Sequence, residues 1–158
     1  MLSMSNRTRE ELVAALTATA RRHHAAYTLF NQAMAEHLGL YPTDLQCVSL
    51  VALEPGPRTT GEIVELTGLT SGSATRLVDH LQKASLAERH PDAHDRRKML
   101  VTLTAGRSPE IEAAWDAPGE AFGRALDDFT DDELTVIERY LQRTTDVGTV
   151  QTARLRAG

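Results

Sequence analysis

One run constrains this chain more than any other: Pro91-Asp92-Ala93-His94-Asp95-Arg96-Arg97-Lys98, followed by Met99-Leu100-Val101-Thr102-Leu103-Thr104. Met99, Val101 and Leu103 alternate with Lys98, Leu100 and Thr102, the period-two pattern of a strand buried on one face. On the other side of the loop, Leu86-Ala87-Glu88-Arg89-His90 supplies a partner strand. The result is a short hairpin whose tip carries Arg96 and Arg97, with Lys98 beside them. A projecting cationic finger suits a narrow, negatively charged groove, where an arginine contacts phosphate and sugar. The same loop could equally be a solvated hairpin with ordinary surface charges. Its own residues do not separate the two readings.

The segment before it does. Thr59-Thr60-Gly61-Glu62 is a capping box, in which a threonine and a glutamate three residues later satisfy free backbone donors reciprocally. A short helix over Ile63-Val64-Glu65-Leu66-Thr67 meets Gly68, which takes the left-handed conformation that ends a helix. Leu69 follows as a core contact, and Thr70 caps a second helix running to Gln82. Ala74, Leu77, Val78 and Leu81 keep the spacing of one buried face. The opposite face offers Ser71, Ser73, Thr75 and Arg76 near its start, short or cationic hydrogen-bonding groups. In a helix-turn-helix, that end of the second helix meets base edges and phosphates. The plainer roles are caps for Ser71 and Ser73 and an acidic neighbour for Arg76.

Helix-turn-helix followed by a basic hairpin is a winged helix. Residues 37–107 resemble the DNA-binding core of the MarR family of bacterial transcriptional regulators. The likeness rests on Thr59-Thr60-Gly61-Glu62-Ile63, Gly68-Leu69-Thr70, Thr75 to Leu81, Asp92-Ala93-His94-Asp95-Arg96-Arg97 and the closing Leu103-Thr104. The resemblance implies a homodimer on a palindromic operator, recognition helices in the major groove and wing arginines in the minor groove. It also implies that Asp95 orients Arg97, two residues on, and we expect a carboxylate–guanidinium bond. Three positions depart from the family pattern: Val64 for alanine, Asp44 for glutamine, and Ser85 for the glycine that ends the recognition helix. Ser85 must then adopt a left-handed conformation, at about 1 kcal/mol, or the turn differs.

The expected fold is mainly α, a winged helix-turn-helix core with a short β-hairpin wing, flanked by N- and C-terminal dimerisation helices. Residues 1–158 form one such domain: a dimerisation helix over 8–38, the DNA-binding lobe over 42–104, dimerisation helices over 105–150 and a flexible tail over 151–158. Leu12, Leu16, Thr19, His23, Tyr27, Phe30, Met34 and Leu38 make one long helical stripe. A helix from about Ser108 toward Leu126 should kink or break at Pro118. Phe129 to Leu134 is a second capping box, from which Ile137, Tyr140 and Leu141 continue an apolar face. So much apolar surface at both ends is better buried between two copies than folded back alone.

The net charge of −5 is unevenly spread. From Thr70 to Lys98, six Lys/Arg face four Asp/Glu, a balance of +2; from Met99 to Val150, four face eleven, a balance of −7. The acid lies away from the basic hairpin, and the local patch, not the total, bears on a nucleic-acid partner. No apolar run approaches the length of a membrane span and no signal-peptide pattern opens the chain, so a cytoplasmic protein is expected.

Proteins that resemble this one often bind small aromatic or phenolic anions beside the dimerisation helices. Arg21, His24, Tyr27, His37, Tyr41 and Trp115 are candidate lining residues here, with Arg22 and His23 adjacent. Core packing is the simpler role for Tyr27 and Trp115. Cys47, the single cysteine, offers a thiol-redox-sensing alternative. However, it sits on the apolar face of a helix starting at Pro42, with no Lys or Arg within ten residues to lower its pKa. No metal, cofactor or catalytic set is indicated. His90 and His94 lie on a loop, and phosphate-loop, nucleophile-elbow and zinc-ligand patterns are missing. The expected function is a sequence-specific double-stranded DNA-binding regulator, a homodimeric repressor released by a small molecule. A winged-helix protein-interaction module without DNA binding is the competitor from another class.

Overall fold

The structure is a computed structural model that describes residues 7–53, 56–104 and 108–158. It divides into two compact units, Met1–Pro55 and Gly56–Gly158. No described helix is long and apolar enough to cross a membrane.

The first unit is a pair of helices. α1 spans Arg9–Leu38 and opens on a capping box that the sequence reading missed: Thr8 accepts the amide of Glu11, whose side chain returns to the Thr8 amide. It ends at Gly39 (φ 65°), where the amides of Gly39 and Leu40 bond back to Glu36 and Ala35. α2, Pro42–Ala52, packs on α1. The division therefore cuts the lobe expected over 42–104, because a three-residue turn with buried Leu40 ties α2 to α1. Of the long α1 stripe only Met34 and Leu38 are buried; Leu12, Leu16 and Tyr27 are exposed.

The second unit holds the winged helix. β1 (Arg58–Thr59) leads into α3 (Thr60–Thr67), then α4 (Ser71–Lys83), β2 (Ala87–Pro91), β3 (Met99–Leu103), α5 (Ser108–Arg124) and α6 (Asp131–Ala157). The sheet runs β1-β3-β2, all antiparallel, with Arg58 opposite Val101 and Arg89 opposite the same residue on the other edge. Strand β1 was not foreseen, since two residues carry no periodicity. Its pairing matters because it places the Thr59 cap of α3 against the hairpin. Ala74, Leu77, Val78, Leu81 and Val101 are buried, as the spacing predicted, and Ile63, Leu86 and Ala87 join them in the core of this part, whereas Met99, expected on the buried face of its strand, is exposed. Gly68 ends α3 with φ 68°. Ser85 is left-handed at φ 58°, and its neighbours close the end of α4 through Leu86 N–H to the Leu81 carbonyl.

Two expectations fail. α5 does not break at Pro118 but runs from Ser108 to Arg124 with the proline inside it. The tail expected to be flexible over 151–158 is helical to Ala157, as the last two turns of α6, and the Arg156 guanidinium donates to the carbonyl of Gly68. α6 has no buried residue, and Phe122, Leu126, Phe129, Val136, Leu141, Val147 and Val150 are exposed.

Candidate nucleic-acid interface

The start of α4 is built by its cap. Thr70 Oγ1 accepts the amide of Ser73 at 3.3 Å and donates to Ser73 Oγ at 3.0 Å. Ser73 is thereby half-buried and engaged in the cap, whereas Thr70, Ser71, Thr75 and Arg76 are exposed. Thr75 Oγ1 donates to the Ser71 carbonyl at 3.0 Å, so its lone pairs are what it offers outward. Gly72 sits beside them, and a side-chain atom there would meet nothing within 4 Å. The surface is a short patch of hydroxyls, one glycine and one cation around a helix N-terminus, where backbone dipoles favour anions.

The hairpin tip is held by two aspartates. Asp92 Oδ1 accepts the amides of His94 at 2.7 Å and Asp95 at 3.1 Å, and those bonds keep its pKa below the ordinary carboxylate value. The Asp92 amide in turn donates to the Lys98 carbonyl at 2.9 Å. Asp95 Oδ1 accepts the main-chain amide of Arg97 at 3.1 Å. The expected bond to the Arg97 guanidinium is not formed: the carboxylate shapes the turn, and the side chain above it stays exposed. Sequence spacing cannot tell these apart, because an aspartate two residues before any residue can form the same turn. Among the described residues, Arg76, Arg96 and Arg97 have no hydrogen bond to their guanidinium groups, and with Lys98 they are exposed.

A further set was not foreseen. Arg89 of β2 reaches α4, with Nη1 donating to Asp79 Oδ1 at 2.5 Å and Gln82 Oε1 at 2.6 Å, and Nη2 to the Thr75 carbonyl at 3.3 Å. The available signal was a cation on the inward side of a strand, two residues after Ala87.

The same fold occurs in solved structures. A MarR family protein from Bacillus stearothermophilus superimposes with a TM-score of 0.69, at 23% identity, over 90% of this chain and 99% of that one. BpsR of Bordetella bronchiseptica, whose DNA binding is regulated by 6-hydroxynicotinic acid, gives 0.61 at 19% identity, over 90% and 99%. The MarR family model matches residues 38–98. The uncharacterized HTH-type transcriptional regulator YcgE of Bacillus subtilis (strain 168) is 33% identical over 154 residues, 97% of this chain and 99% of that one. The chain belongs to the MarR family. It is a winged helix-turn-helix transcriptional regulator.

For a MarR-family chain, the other candidate residues fall as follows. Arg21, His24 and Tyr27 are exposed on α1, where Tyr27 lies between His23 and Phe30 with ring centroids 6.2 and 6.1 Å apart. His37 is exposed on the last turn of α1, about 24 Å along the helix from Arg21. Tyr41 is 62% exposed at the start of α2. Trp115 is half-buried on α5 of the second unit. A cavity of about 490 Å³ is lined instead by Leu126, Leu134, Ile137, Leu141 and their polar neighbours on α6, and none of the six candidates borders it. Cys47 is buried at 1% exposure, and burial first, then the charge of Asp44, pushes its thiol up to about 11.

Proposed function

We propose that this regulator acts as a homodimer on a palindromic operator, with the α4 N-termini in adjacent major grooves and the wing tips in the flanking minor grooves. The observation that carries this reading is the pairing, within one compact unit, of an exposed α4 start with a wing tip whose arginines are unspent. Ser71, Thr75 and Arg76 then read base edges, Thr70 and Ser73 set the helix start, and Arg96, Arg97 and Lys98 supply phosphate and minor-groove contacts. Asp95 shapes the tip that presents them. The exposed apolar residues of α1, α5 and α6 support a partner copy on these helices. Occupying an operator makes the protein a repressor wherever the site overlaps a promoter.

Release by a small aromatic anion is the second half of the proposal. The regulation of BpsR by 6-hydroxynicotinic acid supports that ligand class, and α1 carries an exposed cation at Arg21 and an exposed aromatic ring at Tyr27. The thiol-sensing alternative is disfavoured by the burial and raised pKa of Cys47, since the thiolate is the reacting form. Selection of duplexes from a random pool tests the DNA half. An imperfect palindrome with half-site centres about 10 base pairs apart is expected, and a set of unrelated sequences would leave only non-specific binding or a protein-interaction role.

A further inference from the structure

The sheet face of β2 that carries Arg89 should be apolar. Ala87, two residues before, is buried, and Val101, directly opposite Arg89 in the ladder, is 4% exposed. A guanidinium on that face is costly to desolvate unless its donors are met. They are met on a single element: Thr75, Asp79 and Gln82 are spaced i, i+4, i+7, one stripe over two turns of α4. The side chain of Arg89 is 23% exposed and that of Asp79 46%. Asp79 lies three residues beyond Arg76 on the outward part of the helix, where an uncompensated carboxylate would repel phosphates.

We infer that Arg89 is a positioning residue for DNA recognition: it fixes the angle between the wing strand and the recognition helix while cancelling the charge of Asp79. The inference rests on the DNA-binding reading above. Arg89 touches no nucleic acid itself. It sets where the Arg96–Lys98 tip arrives once the α4 start is seated, because β2 leads directly into that tip. Only arginine fits, because one planar fork must serve a carboxylate, an amide oxygen and a main-chain carbonyl; a lysine offers one compact head.

The test compares the full-length wild type with Arg89→Gln, Asp79→Asn, the double variant and Arg89→Lys. The probe is the tightest duplex selected from a random pool, with thermal melting run in parallel. Each single variant is expected to bind about tenfold more weakly, the double variant no worse than Arg89→Gln, and Arg89→Lys to restore little. Minor-groove protection from hydroxyl radicals should fade while major-groove methylation interference persists, and the salt slope should stay unchanged. A salt slope lower by about one for Arg89→Gln, with tighter binding by Asp79→Asn, would make Arg89 a phosphate contact and overturn the inference. Full rescue by Arg89→Lys would reduce the pair to charge cancellation and overturn it too.

Amide hydrogen exchange on the unbound proteins separates this claim from the reading it rests on. Faster exchange in β2 and β3, with α4 unchanged, is expected in Arg89→Gln, and unchanged exchange there sinks the positioning role whether or not DNA binds. A wild type that selects no duplex sinks the DNA-binding reading and this inference with it. If Arg89→Gln does not fold, Gln82→Ala, which removes one exposed acceptor, should still loosen the wing in the same exchange measurement. No loosening there counts against the inference.

Discussion

Asp95 holds Arg97 by its main chain: the carboxylate accepts the Arg97 amide at 3.1 Å and leaves the guanidinium exposed. The aspartate therefore sets the direction in which the arginine leaves the loop. Arg97→Ala should weaken operator binding by about 1–3 kcal/mol and lower the salt slope by about one. Asp95→Ala adds positive charge to the tip yet should also weaken binding, because the turn that aims Arg97 is lost. Titration at matched salt decides it, and tighter binding by Asp95→Ala would show that the carboxylate only repels DNA.

The hydroxyls at the start of α4 divide into two roles. Thr70 and Ser73 bond to each other, so Thr70→Ala should lower stability by about 1 kcal/mol and weaken all operator variants alike. Thr75 spends its proton on the Ser71 carbonyl and presents lone pairs, which suit the amino groups of adenine or cytosine. Thr75→Val should re-rank a panel of single-base operator variants. Equal losses across the panel would assign Thr75 to the helix and not to base reading.

Cys47 should be chemically quiet. Its thiol is 1% exposed with a pKa pushed up to about 11, so little thiolate exists near neutrality. Iodoacetamide should label the native protein far more slowly than the denatured one, and peroxide should leave operator affinity unchanged. Loss of binding on peroxide treatment, reversed by reductant and absent in Cys47→Ser, would revive the redox reading.

The α6 cap makes part of the stability proton-linked. The Glu133 carboxylate accepts the Thr130 amide first and its hydroxyl second, both at 2.9 Å, and these bonds lower its pKa. A lowered folded pKa gives stability that is present above the unfolded value, about 4.3, and is lost as pH falls through the folded one. Glu133→Gln keeps an acceptor without titrating. Its melting temperature should fall less steeply than that of the wild type between about pH 5 and about pH 3. Parallel slopes would remove Glu133 from the acid response.

Much of this was legible from residue order. The caps at Thr59, Thr70 and Thr130, the left-handed Gly68, the buried face of α4 and both wing strands follow from local rules of capping and periodicity, while the family resemblance left Ser85 between a left-handed conformation, which it takes, and a different turn. Strand β1, the Arg89 cluster and the true acceptor role of Asp95 were not legible, because each depends on which element lies beside which. The tail misled for another reason: residues 151–157 are exposed throughout, Leu155 included, yet they continue a helix already started by the strong cap at Thr130. Propagation of an existing helix needs no apolar stripe of its own.

Specific recognition of double-stranded DNA is the central claim, and one titration reaches it directly. Fluorescence anisotropy at about 150 mM salt should show the wild type binding its selected duplex at least about a thousandfold more tightly than a shuffled duplex of equal length and composition. An Arg96→Ala/Arg97→Ala variant should lose most of its affinity for the selected duplex. Equal affinity for the two duplexes, or an intact ratio and affinity in the double variant, would contradict the account.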